Sequence, residues 1–227
     1  SAYAILVEKA SQSLILYEMQ EPPRPVFRMR CSTGKNPGPK TVSGDAKTPE
    51  GVYFFHQEFD EKHLSPIYGV KAFPTDYPNL MDRLAQRTGS AIWLHGTDKP
   101  LKPYDSNGCV TVENADLLAL SPFITLNRTP IIIVERIPHP HGHGGGKDAA
   151  AVEALLESWR RAVESGSGAD LTACYEAGAW LPSWWEEWTG RQAILTASGA
   201  PLCLEMKAPA VFRTRNTLVA VCDPYLR

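Results

Sequence analysis

Two residues fourteen positions apart, each beside a glycine, have the types and setting for covalent chemistry: His95 and Cys109. His95 closes the apolar run Ile92-Trp-Leu and is followed by Gly96 and Thr97, while Cys109 follows Ser106-Asn107-Gly108 and precedes Val110. The thiolate, not the thiol, is the nucleophile, and an imidazole that takes the thiol proton supplies it. A loop of this length can fold back and bring the two side chains together. A cysteine titrates at about 8.5, and an imidazolium partner lowers that by several units. Gly108 lets an incoming carbonyl approach the backbone closely, and the amides around Gly108 and Cys109 can donate to the oxyanion formed on attack. Taken singly, Cys109 reads as a small buried hydrophobe and His95 as a strand-end histidine. Together, in this glycine context, they favour the reactive reading.

Rival sites are weaker. The other cysteines, at 31, 174, 203 and 222, form no CxxC pair, and an odd total of five leaves at least one thiol free. His139, His141 and His143 could ligate a metal, but they lie in the tract PHPHGHGGGK with no thiolate or carboxylate nearby, so neither a metal nor another cofactor is expected. The segment from Ser32 to Tyr53 holds several glycines and a lysine, yet lacks a GxxxxGK[ST] run and a following helix, which removes a phosphate-cradling reading. It reads instead as a structured loop in which Asp45 accepts from nearby amides.

The elements that must position these residues follow from periodicity. Tyr3–Val7, Leu14–Tyr17, Val26–Arg30, Gly51–Phe55, Ala91–Leu94 and Pro130–Val134 are short strand-type runs separated by polar or proline-bearing turns. Two short helices flank the site, one capped near Asp76 with Leu80 and Leu84 on one face, the other capped by Asn114 and carrying Leu117, Leu118 and Leu120. Residues 137–148 read as a linker. Beyond it the period becomes 3.6: Val152, Leu155, Leu156, Trp159 and Val163 form one stripe after a capping Asp148. Asp170 caps a further helix, and Trp180, Trp184, Trp185 and Trp188 supply core rather than a ligand pocket. Strands are expected over Leu202–Lys207 and Ala210–Cys222, with a turn at Arg215-Asn216. The expected architecture is a mainly β unit over 1–136, the linker, and a small α+β unit over 149–227.

Bulk properties bound the partners. A net charge of −2 and a pI near 6.3 offer no broad basic surface, so nucleic acid is not an expected partner. No apolar run reaches the roughly 18 residues of a membrane span. A chain that starts directly in a strand suggests removal of a targeting segment.

The runs GKNPGPKTVSGDAKTPEGVY, IWLHGT and SNGCV resemble the YkuD-type L,D-transpeptidase catalytic domain over roughly residues 1 to 136. The resemblance implies a YkuD-like mixed β-sandwich with short helices. It implies that Cys109 attacks the L-to-D bond after the diamino acid of a peptidoglycan stem and forms a thioester, with His95 as base and then acid. The carbonyl of Gly96 would fix the imidazole tautomer, and Ser106 and Gly108 would shape the nucleophile loop. Asn107 and Thr111 stand where the family often has histidine and arginine, at the substrate clamp. SNGCVTVENADLL is similar to the subgroup that includes cell-shape-determining L,D-carboxypeptidases, in which a domain similar to nuclear transport factor 2 follows; here it would be shortened or incomplete. The implied partners are diaminopimelate-type stems and a second copy through the C-terminal unit, in the periplasm or cell envelope. The implied reaction is trimming of tetrapeptide to tripeptide, with L,D-transpeptidation as the alternative. A noncatalytic wall-binding or scaffolding module is the reading from another class.

Overall fold

The computed structural model describes residues 2–20, 22–137, 145–175, 185–197, 204–206, 210–214, 217–221 and 224–226. The chain divides into two compact units, residues 1–140 with 214–217 and residues 141–213 with 218–227.

The first unit contains strands β1 (Tyr3–Glu8), β2 (Ser13–Glu18), β3 (Arg24–Arg30), β4 (Gly51–Phe54), β5 (Phe59–Asp60), β6 (Lys71–Pro74), β7 (Trp93–His95), β8 (Val110–Thr111) and β9 (Pro130–Val134). They form a five-stranded sheet in the order β3-β2-β1-β9-β4 and a four-stranded sheet in the order β5-β6-β7-β8. The period-two alternation explains the first. Ile5 and Val7 on β1, Leu14 and Leu16 on β2, and Ile131 and Ile133 on β9 are fully buried in one core. Each such side chain contributes about 1.5–3 kcal/mol by leaving water. Parallel pairing of β1 with β9, Ile5 beside Ile131 and Val7 beside Ile133, ties the start of the unit to its end. The same core takes Phe73, Leu94 and Val110 from the second sheet. The architecture is therefore mainly β, two mixed sheets with short helices.

The local reading needs correction at several points. The first helix, α1 (Leu80–Leu84), is capped by Asn79 and not by Asp76: the Asn79 side chain accepts from Asp82 N and the Asp82 carboxylate accepts from Asn79 N. Leu80 and Leu84 are exposed, and the buried residue of α1 is Asp82, paired with Arg87. The second helix, α2 (Asn114–Leu120), buries Leu117 and Leu120 but not Leu118, and its N-cap position is Glu113. Asn114 is instead the first helical residue, and its carboxamide oxygen accepts from Val70 N and Thr97 N. Strands β5, β6 and β8 are too short to show periodicity. Their pairing comes from register alone.

The second unit, apart from Thr214 and Thr217, which group with the first, holds α3 (Gly145–Ser165), α4 (Gly168–Ala173), α5 (Trp185–Ala197), β10 (Leu204–Met206), β11 (Ala210–Thr214), β12 (Thr217–Val221) and β13 (Pro224–Leu226), with β10 paired to β13 and β11 to β12. The helix α3 begins ahead of Asp148, which is therefore not its cap. Ser167, not Asp170, caps α4, accepting from Asp170 N. Ala162, Val163, Leu171, Trp185 and Leu204 form the buried cluster, with Trp159 and Trp188 packed against it. Leu155 is exposed. Trp180, Trp184, the three linker histidines and the turn at 215–216 lie outside the described residues.

Candidate active site

The site grows out of one strand pair. β7 and β8 run parallel with His95 level with Thr111, and Val112 N donates to His95 O at 3.0 Å. Two exchanged bonds, Ser32 N to Thr111 O at 2.7 Å and Thr111 N to Ser32 O at 2.9 Å, hold the other side of β8. His95 thus ends one strand while Cys109 immediately precedes its neighbour. The thirteen-residue loop between them folds back, as its length allows.

His95 is buried, with 7% of its surface exposed, and both ring nitrogens are engaged. Nδ1 lies 2.5 Å from the Gly96 carbonyl oxygen. A carbonyl only accepts, so the proton sits on Nδ1 and the lone pair on Nε2. Nε2 lies 3.3 Å from Thr111 Oγ1, whose hydroxyl can donate to it. The Tyr68 ring meets the imidazole edge-on, centroids 5.0 Å apart. Gly96 is required here by space as much as by its carbonyl, because a Cβ would lie 2.1 Å from Asn114 Oδ1.

Cys109 is a partly exposed free thiol whose Sγ donates to Ala91 O at 3.5 Å. Its loop is tied at both flanking peptide groups. Gly108 N donates to Ser106 Oγ at 3.1 Å, and Ser106 Oγ donates to Cys109 O at 2.6 Å. The Gly108 amide is consequently engaged and does not serve as an oxyanion donor in this arrangement. The Cys109 amide has no acceptor among the described residues.

Burial sets the electrostatics of the pair, and it reverses the expectation of a low-pKa thiolate. Desolvation pushes the Cys109 thiol above its ordinary value, opposed by a hydrogen bond from the Trp93 backbone. It pulls His95 below its ordinary value, opposed by the bond to Gly96. Both charged forms are penalised, so the resting pair is a neutral thiol and a neutral imidazole. Cys31, by contrast, is a core thiol pushed up to about 12 by burial. Cys174 is also free.

His95 and Cys109 line one cleft of about 370 Å³, together with Ser106, Asn107 and Thr111. Gly96 and Gly108 are not among the residues lining it; Gly96 meets the imidazole through its carbonyl, and Gly108 is tied to Ser106 and Thr48 through its backbone. Thr111 lines the cleft with its hydroxyl 3.3 Å from His95 Nε2. Sequence reasoning missed Tyr68, Lys99 and Lys102 on the cleft wall, because nothing in their spacing marks them. Lys35, which donates to Asn107 Oδ1 at 3.2 Å, was visible within the quoted motifs but carried no distinguishing signal, and Asn114 was legible only as a helix cap. Among the described residues no group of His, Cys, Asp or Glu side chains is arranged to hold a metal ion. Among them too, no helix is long and apolar enough to cross a membrane.

Comparison with known proteins adds to this geometry. The structure of Bd1075 from Bdellovibrio bacteriovorus is 28% identical, with a TM-score of 0.73 over 100% of this chain and 82% of that one. The helical cell shape determining protein Pgp2 from Campylobacter jejuni is 20% identical, with a TM-score of 0.62 over 99% of this chain and 86% of that one, a likeness of fold. No curated protein sequence matches the chain. The profile of the L,D-transpeptidase catalytic domain, YkuD, matches residues 2–133. Covering more than half of the residues, this match establishes that the chain belongs to the YkuD family of L,D-transpeptidase catalytic domains.

Proposed function

We propose that this protein processes peptidoglycan stem peptides through a Cys109 thioester, most readily as an L,D-carboxypeptidase that trims tetrapeptide stems to tripeptides in the periplasm or cell envelope. The observation that carries the reading is a thiol and an imidazole lining one cleft, with the imidazole's Nδ1 tied off by Gly96 so that Nε2 is the basic nitrogen. From a neutral pair, proton transfer accompanies attack. Cys109 Sγ adds to the carbonyl carbon of the diamino acid, at its bond to the following D-residue, while Nε2 of His95 takes its proton. The oxyanion accepts from the Cys109 amide, which has no acceptor among the described residues. Collapse breaks the C–N bond, and the imidazolium returns its proton to the departing amine. Water, deprotonated by His95, then opens the thioester.

Transpeptidation differs only in the last step, where an amine from a second stem replaces water, and it is favoured by the family's name-giving activity. Trimming is preferred on the resemblance of SNGCVTVENADLL to the carboxypeptidase subgroup. The helices and strands of the second unit support an α+β domain similar to nuclear transport factor 2, and a homodimer through that unit belongs to the same proposal. Incubation with purified tetrapeptide muropeptides, products identified by mass, tests the reaction. Tripeptide is expected; crosslinked dimer would replace trimming by transpeptidation. Cys109→Ala is expected to abolish either product while leaving the fold intact, and residual turnover would remove the assignment. A noncatalytic scaffold would give neither product from the wild-type protein.

A further inference from the structure

The loop from Ser32 to Tyr53 is the one sequence motif that this reaction leaves without a role. Its threonine, Thr48, is fully buried and meets the nucleophile loop directly. Thr48 Oγ1 donates to Gly108 O at 2.8 Å and accepts from Gly34 N at 2.8 Å. Around this tie the two loops are laced by backbone: Lys35 N donates to Ser106 O at 3.0 Å and Ser106 N to Thr33 O at 3.1 Å. The packing admits no side chain at either glycine. A Cβ on Gly34 would lie 2.4 Å from Ala46 O, and one on Gly108 would lie 2.9 Å from Lys47 O, at a φ of +135°.

We infer that Thr48 is a positioning residue that aims the Cys109 amide at the developing oxyanion. The Gly108 carbonyl and the Cys109 N–H belong to one planar trans peptide, so they point in opposite directions and cannot turn independently. Thr48 anchors the carbonyl end, and the amide end must face away from that anchor, where no protein acceptor meets it. Ser106 restrains the neighbouring peptide groups on either side, which leaves the Thr48 bond as the one that sets this plane. The first motif therefore acts at a distance in sequence by fixing a donor it does not contain. Because the oxyanion exists only as the bond is attacked, the effect falls on the rate of thioester formation and not on stem binding.

This inference rests on the proposed role of Cys109, and its test separates the two. Thr48→Val keeps the shape and removes the hydroxyl; it is expected to slow single-turnover acylation of Cys109 by a tetrapeptide stem about 10- to 100-fold with KM unchanged, below the loss caused by deleting an oxyanion donor outright. Thr48→Ser is expected to recover most of the rate. Thr129→Val is the matched control, since Thr129 Oγ1 also bridges two backbone groups, Thr125 N and Phe123 O, and neither belongs to either loop. It is expected to lower stability with acylation of the folded protein unchanged. Equal slowing by Thr48→Val and Thr129→Val, or wild-type rates in Thr48→Val, would overturn the inference while leaving the thioester reading standing. Absence of any Cys109 adduct in the wild type would sink that reading instead. The positioning claim is then judged by amide chemical shifts: unchanged Cys109 N–H and Gly108 signals in Thr48→Val would overturn it too.

Discussion

At the residue scale, burial works on both partners of the reactive pair in the same direction, toward neutrality. An imidazole must be uncharged to accept the thiol proton, and the pull of His95 below the ordinary imidazole value of 6.5 keeps it uncharged to lower pH. The acid limb of thioester formation is therefore expected to fall below 6.5, as measured by acylation rate against pH. A limb above that value would mean that the imidazolium is stabilised. The thiol predicts the opposite shift: alkylation of Cys109 by a small reagent should climb at higher pH than for an exposed cysteine. Thr111 stands between these effects, because its hydroxyl bonds the very nitrogen that must act. Thr111→Val retains shape and deletes a resting-state bond of about 0.5–1.5 kcal/mol that must be given up when Nε2 takes the thiol proton, so acylation should quicken by about two- to tenfold. An unchanged rate would reduce Thr111 to packing.

At the element scale, the reactive residues sit at strand ends because strand pairing is the stiffest support available to them. The β7 and β8 register places His95 beside Thr111, two residues past Cys109, and Ser32 holds the far edge of β8. Helix α1 has a structural task only. Its reciprocal cap between Asn79 and Asp82 leads to an expectation of about 1 kcal/mol lost on Asn79→Ala, read by denaturant unfolding, with Cys109 acylation unaltered. Helix α2 matters more directly, since Asn114 at its first turn binds the amides of Val70 and Thr97 behind Gly96. Caps were the least legible part of the sequence. Asp76, Asn114, Asp148 and Asp170 all have cap chemistry, yet the caps of α1 and α4 are Asn79 and Ser167. The choice among neighbouring polar residues depends on where the helix axis is held by packing, which no short window contains.

At the scale of the whole molecule, the reactive pair and the larger core belong to one unit, while Leu171 and Trp185 anchor a separate buried cluster in the other. Leu171→Ala is expected to destabilise the second unit by about 2–5 kcal/mol, seen in thermal unfolding. Single-turnover acylation at Cys109 should persist at 25 °C under that change. Loss of acylation there would mean that the units fold as one.

Type and spacing alone determined a great deal about this protein. Alternation in Ile5-Val7, Leu14-Leu16 and Ile131-Ile133 marked the strands, since a half-buried sheet imposes period two on any sequence that forms it. The glycine-flanked His95 and Cys109 marked the site, since few residue types can do this chemistry. Only the tertiary structure decided what surrounds them. That Thr111 meets His95, that Thr48 meets Gly108 across sixty positions, and that the pair rests neutral are consequences of contacts and desolvation between segments remote in sequence. Local pattern carries no information about such distances, because it records which face a residue takes and not what stands opposite.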